Sequence, residues 1–199
     1  MIVGNGGIAH TVYSSKLEHA SLCIIAAGHA DSTVNDASSF SREEDMIKRV
    51  YQNNKSSKII YFSTTSKYLS TTKNMYVKHK LHIESLIASY TTRYTIINLP
   101  NVICSLKKSN QLIPWLYHSL LSGQQIQINP EVNRYLVSSD QIPPCIEKIA
   151  SKNYKQVALI PKTSLKMYEL IEIMEKITSK KFNVNYSNST EYYQKIFEP

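Results

Sequence analysis

The sequence predicts an α/β fold, a Rossmann-like parallel sheet with helices on both faces, and two kinds of segment carry this prediction. The unbroken apolar runs within ASLCIIAAG (20–28) and SKIIYFSTTS (57–66) are typical of strands buried on both faces. Apolar residues recur instead at helical spacing in FSREEDMIKRVYQNN (40–54) and YVKHKLHIESLIASY (76–90). Strands that alternate with helices at this spacing indicate a parallel sheet.

The remaining elements of the first half follow the same alternation. MIVGNGGIA (1–9) is a short strand that runs directly into glycines, and HTVYSSKLEH (10–19) follows it as a short helix. YTIINLPNVIC (94–104) is a third strand, broken by Pro100. In the helix over 76–90, we expect Leu81, Leu86, Ile87 and Tyr90 to lie on or near one apolar side.

The second half is less regular. LIPWLYHSLLSG is expected to form a helix that ends at Gly123, and QIQINPEVNRYLV alternates like an exposed strand. Asp140 is a candidate cap for a helix with Pro143 and Pro144 in its first turn, and YKQVALIP reads as a strand. The final helix, SLKMYELIEIMEKITSKK, has an apolar stripe formed by Met167, Leu170, Ile171, Met174 and Ile177. We expect one domain over 1–199, with a small substrate lobe drawn mainly from 105–135 and 155–199.

Composition favours a cytoplasmic globular protein. Hydrophobic residues make up 42% and charged residues 19% of the 199 residues, and no apolar run is long enough to span a membrane. The three cysteines are far apart and odd in number, which favours reduced thiols over disulfides or a metal site. The net charge of +8 favours a solvated basic surface, because no zinc-finger spacing or aromatic RNA-binding signature accompanies it. We therefore expect no nucleic acid, membrane or metal partner.

A glycine loop follows the first strand. Gly4, Gly6 and Ala9 form Gly-x-Gly-x-x-Ala between a strand and a helix. This pattern is weak by itself, but in that position it is typical of a dinucleotide-binding loop. Such a loop lets a pyrophosphate approach the backbone at a helix N-terminus. An ordinary glycine turn is the alternative.

A second candidate set lies on the same edge of the predicted sheet. The hydroxyl-rich turn after the second buried strand and the pair Tyr76 and Lys80 both follow the carboxyl end of a strand, where ligands bind in open α/β sheets. A lysine ammonium stabilises a nearby phenolate, so tyrosine can exchange a proton at neutral pH. The alternative is an amphipathic helix with a surface tyrosine.

Taken in order, these motifs resemble the extended short-chain dehydrogenase/reductases, a group of nucleotide-sugar epimerases, dehydratases and reductases. VGNGGIA is similar to the family's glycine loop, and CIIAAG to the strand that lines the cofactor. IIYFSTTSKY resembles the strand with the catalytic Ser/Thr, which lies four residues before a tyrosine, here Tyr68. MYVKHK matches Tyr-x-x-x-Lys, INLPNVIC resembles Arg-x-x-Asn-Val-Tyr-Gly, and NRYLVSSDQI resembles Arg-x-Phe-x-x-Val-x-Asp.

The resemblance implies site residues. The catalytic set would be Thr64, Tyr76 and Lys80, and Thr65, Asn101 and Arg134 would bind substrate. The residues that would bind the cofactor are Gly4, Gly6, Gly7, Ile8, Ala26, Ala27, Gly28, Tyr76, Lys80 and Pro100. The implied cofactor is NAD or NADP, the implied substrate is a nucleotide sugar, and a homodimer through the helices at 40–53 and 76–90 is expected.

The departures from the family pattern concern the cofactor. The stretch before CIIAAG is too short for the family's second and third strands, so the Rossmann-like sheet is expected to be truncated there. The acidic residue about 20 positions past the glycines that holds an NAD ribose has no counterpart. Glu18 lies too early and Asp31 follows the wrong strand. The choice between NAD and NADP therefore stays open, and the third-strand arginine of the family is Asn98 here.

The expected function is an NAD(P)-dependent sugar-nucleotide epimerase or keto-sugar reductase. Dehydration is disfavoured, because Thr65 and Ser66 stand where related dehydratases have Asp-Glu. The alternative is a degenerate relative that binds a nucleotide or a partner protein without turnover. His79 and His82 are expected to be exposed, Trp115 is expected to pack the lobe, and Tyr192 and Tyr193 fall in an unassigned tail.

Overall fold

The computed structural model describes residues 1–15, 17, 21–28, 37–68, 74–106 and 111–187. The strands are β1 (Ile2–Val3), β2 (Leu22–Ile25), β3 (Lys58–Thr64), β4 (Tyr94–Leu99), β5 (Asn101–Ile103), β6 (Gln125–Ile128), β7 (Asn133–Arg134), β8 (Leu136–Ser138), β9 (Gln156–Ala158), β10 (Leu165–Lys166) and β11 (Asn183–Tyr186). The α-helices are α1 (Gly7–Ser14), α2 (Ala37–Asn53), α3 (Met75–Tyr90), α4 (Leu112–Ser122), α5 (Ile142–Ala150) and α6 (Met167–Thr178), with 3-10 turns at Thr65–Tyr68 and Ser139–Gln141. Glu18, Asp31, Tyr192 and Tyr193 lie outside the described residues.

Five of the described strands form one parallel sheet in the order β1-β2-β3-β4-β9. All residues of β2 and β3 are buried, as expected for strands covered on both faces. The predicted α/β class is therefore confirmed. Among the described residues β1 is an edge strand, and the order of strands across the sheet never reverses.

Helices cover both faces of this sheet. Helices α1 and α5 pack on one face, where Val12 and Ile146 share a cluster with Ile60. Helices α2 and α3 pack on the other face, where Ile47 and Ile83 share a cluster that includes Tyr61, Ile96, Ile25 and Ile87. Each connection moves one place in the same direction across the sheet, so the connections through α1 and α5 have the opposite hand to those through α2 and α3.

The second half adds a separate apolar cluster. Leu116 of α4, Ile126 of β6 and Leu170 of α6 are buried together, and Trp115 packs against them as expected. Strand β6 pairs with β11 and alternates exposed and buried residues. Pro100 separates β4 from β5, and β5 leaves the main sheet to pair with β8. This pairing ties the lobe to the carboxyl edge of β4.

Three details of the sequence prediction are wrong. Leu81 is 45% exposed and Ile177 is 77% exposed, so neither belongs to the core face of its helix. Asp140 is not a helix cap: Ser138 caps the 3-10 turn by accepting a hydrogen bond from Asp140 N, and α5 begins at Ile142. Since this turn intervenes, the N-cap position of α5 is Gln141, whose side chain makes no capping hydrogen bond to the helix.

None of the described helices is long and apolar enough to cross a membrane.

Candidate active site

The carboxyl ends of the four consecutive strands β1 to β4 bring the predicted site segments to one edge of the sheet. The glycine loop follows β1, Ala26 to Gly28 follow β2, Thr65 follows β3, and Pro100 follows β4. Because all of these strands are parallel, their carboxyl ends share one edge, which is where ligands bind in open α/β sheets.

The glycine loop is packed closely against its neighbours. Gly4 has φ +132°, and a side chain there would overlap the Ala26 carbonyl. Gly6 precedes α1 in extended conformation, so the N–H groups of Gly7 and Ile8 lie in the first turn of the helix. A side chain on Gly7 would overlap Cys104, which stands where the family pattern has glycine. The loop thus fits a backbone approach, but the Cys104 side chain narrows the space beside the helix N-terminus.

Thr64 and Thr65 lie where β3 passes into its turn. Both are buried, and Thr64 Oγ1 accepts a hydrogen bond of 3.0 Å from Ser66 N. Four residues after Thr64, the Tyr68 hydroxyl accepts a 3.2 Å hydrogen bond from Asn98 Nδ2. Asn98 is 1% exposed, and its Oδ1 accepts no hydrogen bond from any residue that the structure describes. Asn98 is therefore a buried amide with spare acceptor capacity near this turn.

Tyr76 and Lys80 lie one turn apart on α3. Asn74 starts the helix by accepting a 2.9 Å hydrogen bond from Val77 N, which places Tyr76 in the first turn. Tyr76 is 7% and Lys80 3% exposed, and Lys80 Nζ lies 6.0 Å from the centre of the Tyr76 ring. The structure therefore brings this predicted pair together on the buried side of the helix.

The ammonium of Lys80 has two further partners that the sequence reasoning missed. Lys80 Nζ donates to Tyr61 Oη at 2.7 Å and to Glu43 Oε1 at 3.1 Å, and the Tyr61 hydroxyl donates to the same carboxylate at 2.8 Å. Glu43 could have been found from spacing, because it lies three residues after Phe40 and four before Ile47, both of which are buried. Tyr61 reads as one more apolar residue of a buried strand, so the sequence offers no signal for its role.

The prediction that His79 is exposed is wrong. His79 is 7% exposed, stacks on Phe40 with ring centres 4.2 Å apart, and lies 3.0 Å from Glu43 Oε2. Since a carboxylate can only accept, the Nε2–H of His79 donates. His82 is exposed as expected, and its ring lies 3.2 Å from the Glu44 carboxylate.

Burial and charge shift the pKa values of this group, which we call the Glu43 cluster (Glu43, Tyr61, His79 and Lys80). Burial alone would raise the pKa of Glu43, but the Lys80 charge and the three hydrogen bonds outweigh it, so this pKa is lowered. Burial lowers the pKa of Lys80 more than Glu43 raises it. Burial also lowers the pKa of His79 against the opposing effect of Glu43, and raises that of Tyr61 well above its usual value. Glu43 is therefore anionic and His79 neutral at pH 7.

A second buried ion pair supports the turn after β3. Lys67 Nζ contacts both carboxylate oxygens of Glu84 at 2.8 Å, and Ser63 Oγ donates to Glu84 at 2.5 Å. Lys67 belongs to the turn and Glu84 to α3, one turn beyond Lys80. The pair therefore fixes the turn that carries Thr65 against the helix that carries Tyr76.

The predicted substrate residues Asn101 and Arg134 lie where the lobe joins the sheet. Asn101 Nδ2 donates to the Tyr135 carbonyl at 3.2 Å, within the pairing of β5 with β8. Arg134 is partly buried in β7, directly before Tyr135. The structure therefore brings the segments that contain Asn101 and Arg134 together, and the hydrogen bond from the Asn101 amide connects them.

A shallow open depression of about 640 Å³ lies along α4, away from this edge. It is lined by Trp115, His118, Ser119, Leu121, Ser122 and Gln124. None of the predicted site residues lines it, so it does not bear on the candidate site.

Comparison with known proteins places the fold. No protein-family model and no curated protein matches the chain. A dTDP-4-dehydrorhamnose reductase from Clostridium acetobutylicum superimposes with a TM-score of 0.70 at 12% identity, over 96% of this chain and 84% of that one. RMD from Pseudomonas aeruginosa, complexed with NADPH, gives 0.73 at 13% identity, over 93% and 86%. UDP-glucose 4-epimerase from Thermus thermophilus, complexed with NAD, gives 0.70 at 10% identity, over 89% and 68%.

Identities this low establish the fold alone, and the fold agrees with the motif order read from the sequence. The chain therefore has the fold of the extended short-chain dehydrogenase/reductases, the group of sugar-nucleotide reductases and epimerases that its motifs resemble.

Proposed function

We propose that this chain is an NAD(P)-dependent oxidoreductase that acts on a nucleotide-activated sugar, as an epimerase or a keto-sugar reductase. The observation that carries the proposal is the pair Tyr76 and Lys80, buried one turn apart on the helix that follows β3. The carboxyl end of β3 holds Thr64, the third member of the expected catalytic set.

The chain's own residues account for proton transfer in this proposal. Tyr76 gives its hydroxyl proton to the sugar oxygen or, as the phenolate, takes a proton from it, and the Lys80 ammonium stabilises the phenolate form. The Thr64 hydroxyl holds the same sugar oxygen. A bound nicotinamide supplies the hydride chemistry.

The cofactor expectation is supported on one side of the site. Gly4 has positive φ and leaves no room for a side chain, because the backbone of Ala26 passes closely, so the glycine loop is held compactly at the start of α1. Gly6, Gly7 and Ile8 would hold phosphate at the start of α1, and Ala26, Ala27 and Pro100 would line the nicotinamide half. RMD is complexed with NADPH and the Thermus epimerase with NAD, which supports one of these two dinucleotides. On the adenosine side, the described residues include no strand beyond β1.

Substrate binding is assigned to Thr65, Asn101 and Arg134. Thr65 lies next to Thr64 at the sheet edge, and Asn101 and Arg134 meet through Tyr135 where the lobe begins. Arg134 would bind the phosphates of the nucleotide sugar, since a guanidinium matches phosphate geometry.

A non-catalytic binder is the second candidate. Glu43 favours it, because this carboxylate already compensates the charge of Lys80. With Lys80 paired to Glu43, the protein would keep its fold and bind a nucleotide or a partner protein, but it would not catalyse a reaction.

Turnover and binding of Tyr76→Phe separate the two candidates. We expect the wild-type chain to oxidise or reduce a nucleotide sugar with one nicotinamide cofactor, and Tyr76→Phe to lose about 100-fold or more in kcat, because general acid–base catalysis contributes on this scale. Cofactor affinity should stay within about twofold of wild type, a change below about 0.5 kcal/mol. Cofactor binding by a wild-type chain that turns over no UDP-, GDP- or dTDP-sugar would favour the non-catalytic binder instead.

A homodimer through α2 and α3 belongs to the same proposal. Met75 and Leu81 of α3 are 47% and 45% exposed, which leaves apolar side chains on the outer side of this helix. Sedimentation equilibrium checks this against the chain mass of 22.7 kDa.

A further inference from the structure

The Glu43 carboxylate fills the space between the end of β2 and Lys80. Gly28 has φ +124°, and a side chain there would overlap the carboxylate. The same carboxylate oxygen, Glu43 Oε1, is the atom nearest to that side-chain position and lies 3.1 Å from Lys80 Nζ. Gly28 and Lys80 are both expected cofactor contacts, and Glu43 touches each of them.

This carboxylate is held by buried neighbours. Glu43 is 4% exposed, and it accepts hydrogen bonds from the side chains of Tyr61, His79 and Lys80. Tyr61 lies beside Ile25, the last residue of β2, so the cluster is level with the carboxyl end of that strand. The cluster is therefore buried under α2 and α3, and it meets the expected cofactor edge of the sheet at Gly28.

The contacts of Lys80 show what a ligand would compete for. An ammonium has three N–H groups, and Glu43 and Tyr61 accept from two of them. A ribose presents uncharged hydroxyls to a lysine, whereas Glu43 Oε1 accepts from Lys80 as part of a carboxylate that carries a full negative charge, which makes its hydrogen bond the stronger one. A pyrophosphate-containing ligand would also meet this charge unfavourably.

We propose that Glu43 is an internal competitor of the nicotinamide nucleotide. Its carboxylate accepts a hydrogen bond from Lys80 and neutralises the lysine's charge, so Lys80 is less available to donate to a bound ribose. The inference rests on the proposed function for the identity of the ligand. It makes Glu43 the residue that sets cofactor affinity, so the chain binds nicotinamide nucleotides more weakly than its other site residues would allow.

The test compares the affinities of purified full-length variants for NAD⁺ and NADP⁺ by calorimetric titration. Glu43→Gln keeps the size of the side chain and removes its charge, and we expect Kd to fall at least fivefold for NAD⁺ and NADP⁺ alike. Glu44→Gln is the matched control, because the neighbouring Glu44 is partly exposed and pairs with Lys48. Its Kd should equal that of wild type.

Lys80→Met separates competition for Lys80 from a general effect of charge. In the Lys80→Met background, Glu43→Gln should change Kd less than twofold, because the contested ammonium is gone. Thermal melting confirms that each variant is folded. Should Glu43→Gln not fold, Glu43→Asp replaces it: this variant keeps the charge but withdraws the carboxylate by one methylene, and its Kd should fall at least twofold.

Three results would overturn the inference: an unchanged or weaker affinity of Glu43→Gln, an equal gain without Lys80, or no binding by wild type and variant alike. Turnover by the wild type with unchanged affinity in Glu43→Gln would overturn this inference and leave the proposed function standing. Tighter, Lys80-dependent binding without turnover would support the inference and remove the oxidoreductase.

Discussion

At the scale of single residues, burial decides the roles of the polar side chains on α3. His79 and His82 lie three positions apart, yet His79 is buried against Phe40 and Glu43 whereas His82 is exposed beside Glu44. The sequence predicted Tyr76 and Lys80 together because their spacing is a motif. It did not predict that His79 is buried, because a helix that buries polar residues shows no apolar stripe at those positions.

The buried His79 makes stability depend on pH. Its pKa is lowered by burial, so the unfolded chain binds this proton first as pH falls below the usual histidine value of about 6.5. The contribution of neutral His79 is fully present above that value and is lost as pH falls through the lower folded-state value. We expect the free energy of unfolding, measured with urea at pH 8, 7, 6 and 5, to decline less steeply in His79→Asn than in wild type.

His82→Asn is the control for this measurement. His82 shares the helix but is exposed, so its removal should leave the pH dependence of wild type unchanged. Glu43 also has a lowered pKa, but its protonation affects stability only below about pH 4.5, outside the measured range. Parallel pH curves for wild type and His79→Asn would contradict the prediction.

At the scale of elements, a buried lysine joins the start of β3 to the end of α5. Lys58 Nζ donates to the carbonyl groups of Ile149, Ala150 and Lys152 at 2.8, 3.3 and 2.6 Å. The Ile149 carbonyl also accepts a 3.0 Å hydrogen bond from Lys152 N, and a cation is favourable at this end of the helix dipole. The sequence shows only a lysine before an apolar run, so this contact between distant segments could not be predicted.

Replacing this lysine should destabilise the fold. Lys58→Met keeps most of the apolar stem but removes the charged donor from three carbonyls, of which Ile149 keeps its backbone partner, and we expect a loss of about 2 to 3 kcal/mol. Urea unfolding measures the loss, with Lys55→Met as the control because Lys55 is exposed in the turn before β3. Equal stabilities of the two variants would show that water replaces the ammonium without cost.

The glycine turns differ in how much they require glycine. Gly4 has φ +132° and faces the Ala26 carbonyl, whereas Gly123 has φ +69° and open space around it. Gly4→Ala should therefore cost about 3 kcal/mol or more, from backbone strain and overlap together, and Gly123→Ala only about 1 kcal/mol. The difference between the two urea midpoints checks this, and similar losses would mean that the glycine loop can relax away from β2.

At the scale of the whole molecule, α1 lies on the face that the first helix of a longer Rossmann sheet occupies, although the described residues form no strand beyond β1. In that fold the first helix leads to a strand on the far side of β1, which places it on the face opposite the later helices. Here α1 still packs with α5 on that face, although the chain continues to β2 on the near side. The connection through α1 therefore has the opposite hand to those through α2 and α3.

The sequence predicted the elements of this sheet but not the face on which each helix packs. The strands, the helices and the carboxyl-edge location of the candidate site residues follow from apolar runs and motif order, because burial on both faces makes β2 and β3 continuous apolar runs. The rule that connections are right-handed would have placed α1 with α2. The Glu43 cluster and the Lys58 contact could not be predicted, because each depends on which face of a helix meets the sheet.

The strand order leads to the last prediction, which concerns the two halves of the cofactor. A dinucleotide normally lies across the point where strand order reverses, with its adenosine half on the side that has no strand beyond β1 among the described residues. The adenosine half should then contribute little, and NAD⁺ and nicotinamide mononucleotide should bind within about threefold of each other, a difference of about 0.7 kcal/mol. NADP⁺ should match NAD⁺ for the same reason. Calorimetric titration with the three nucleotides and AMP measures this directly; binding of NAD⁺ 100-fold tighter than the mononucleotide would show that the adenosine half finds a site that this strand order does not provide.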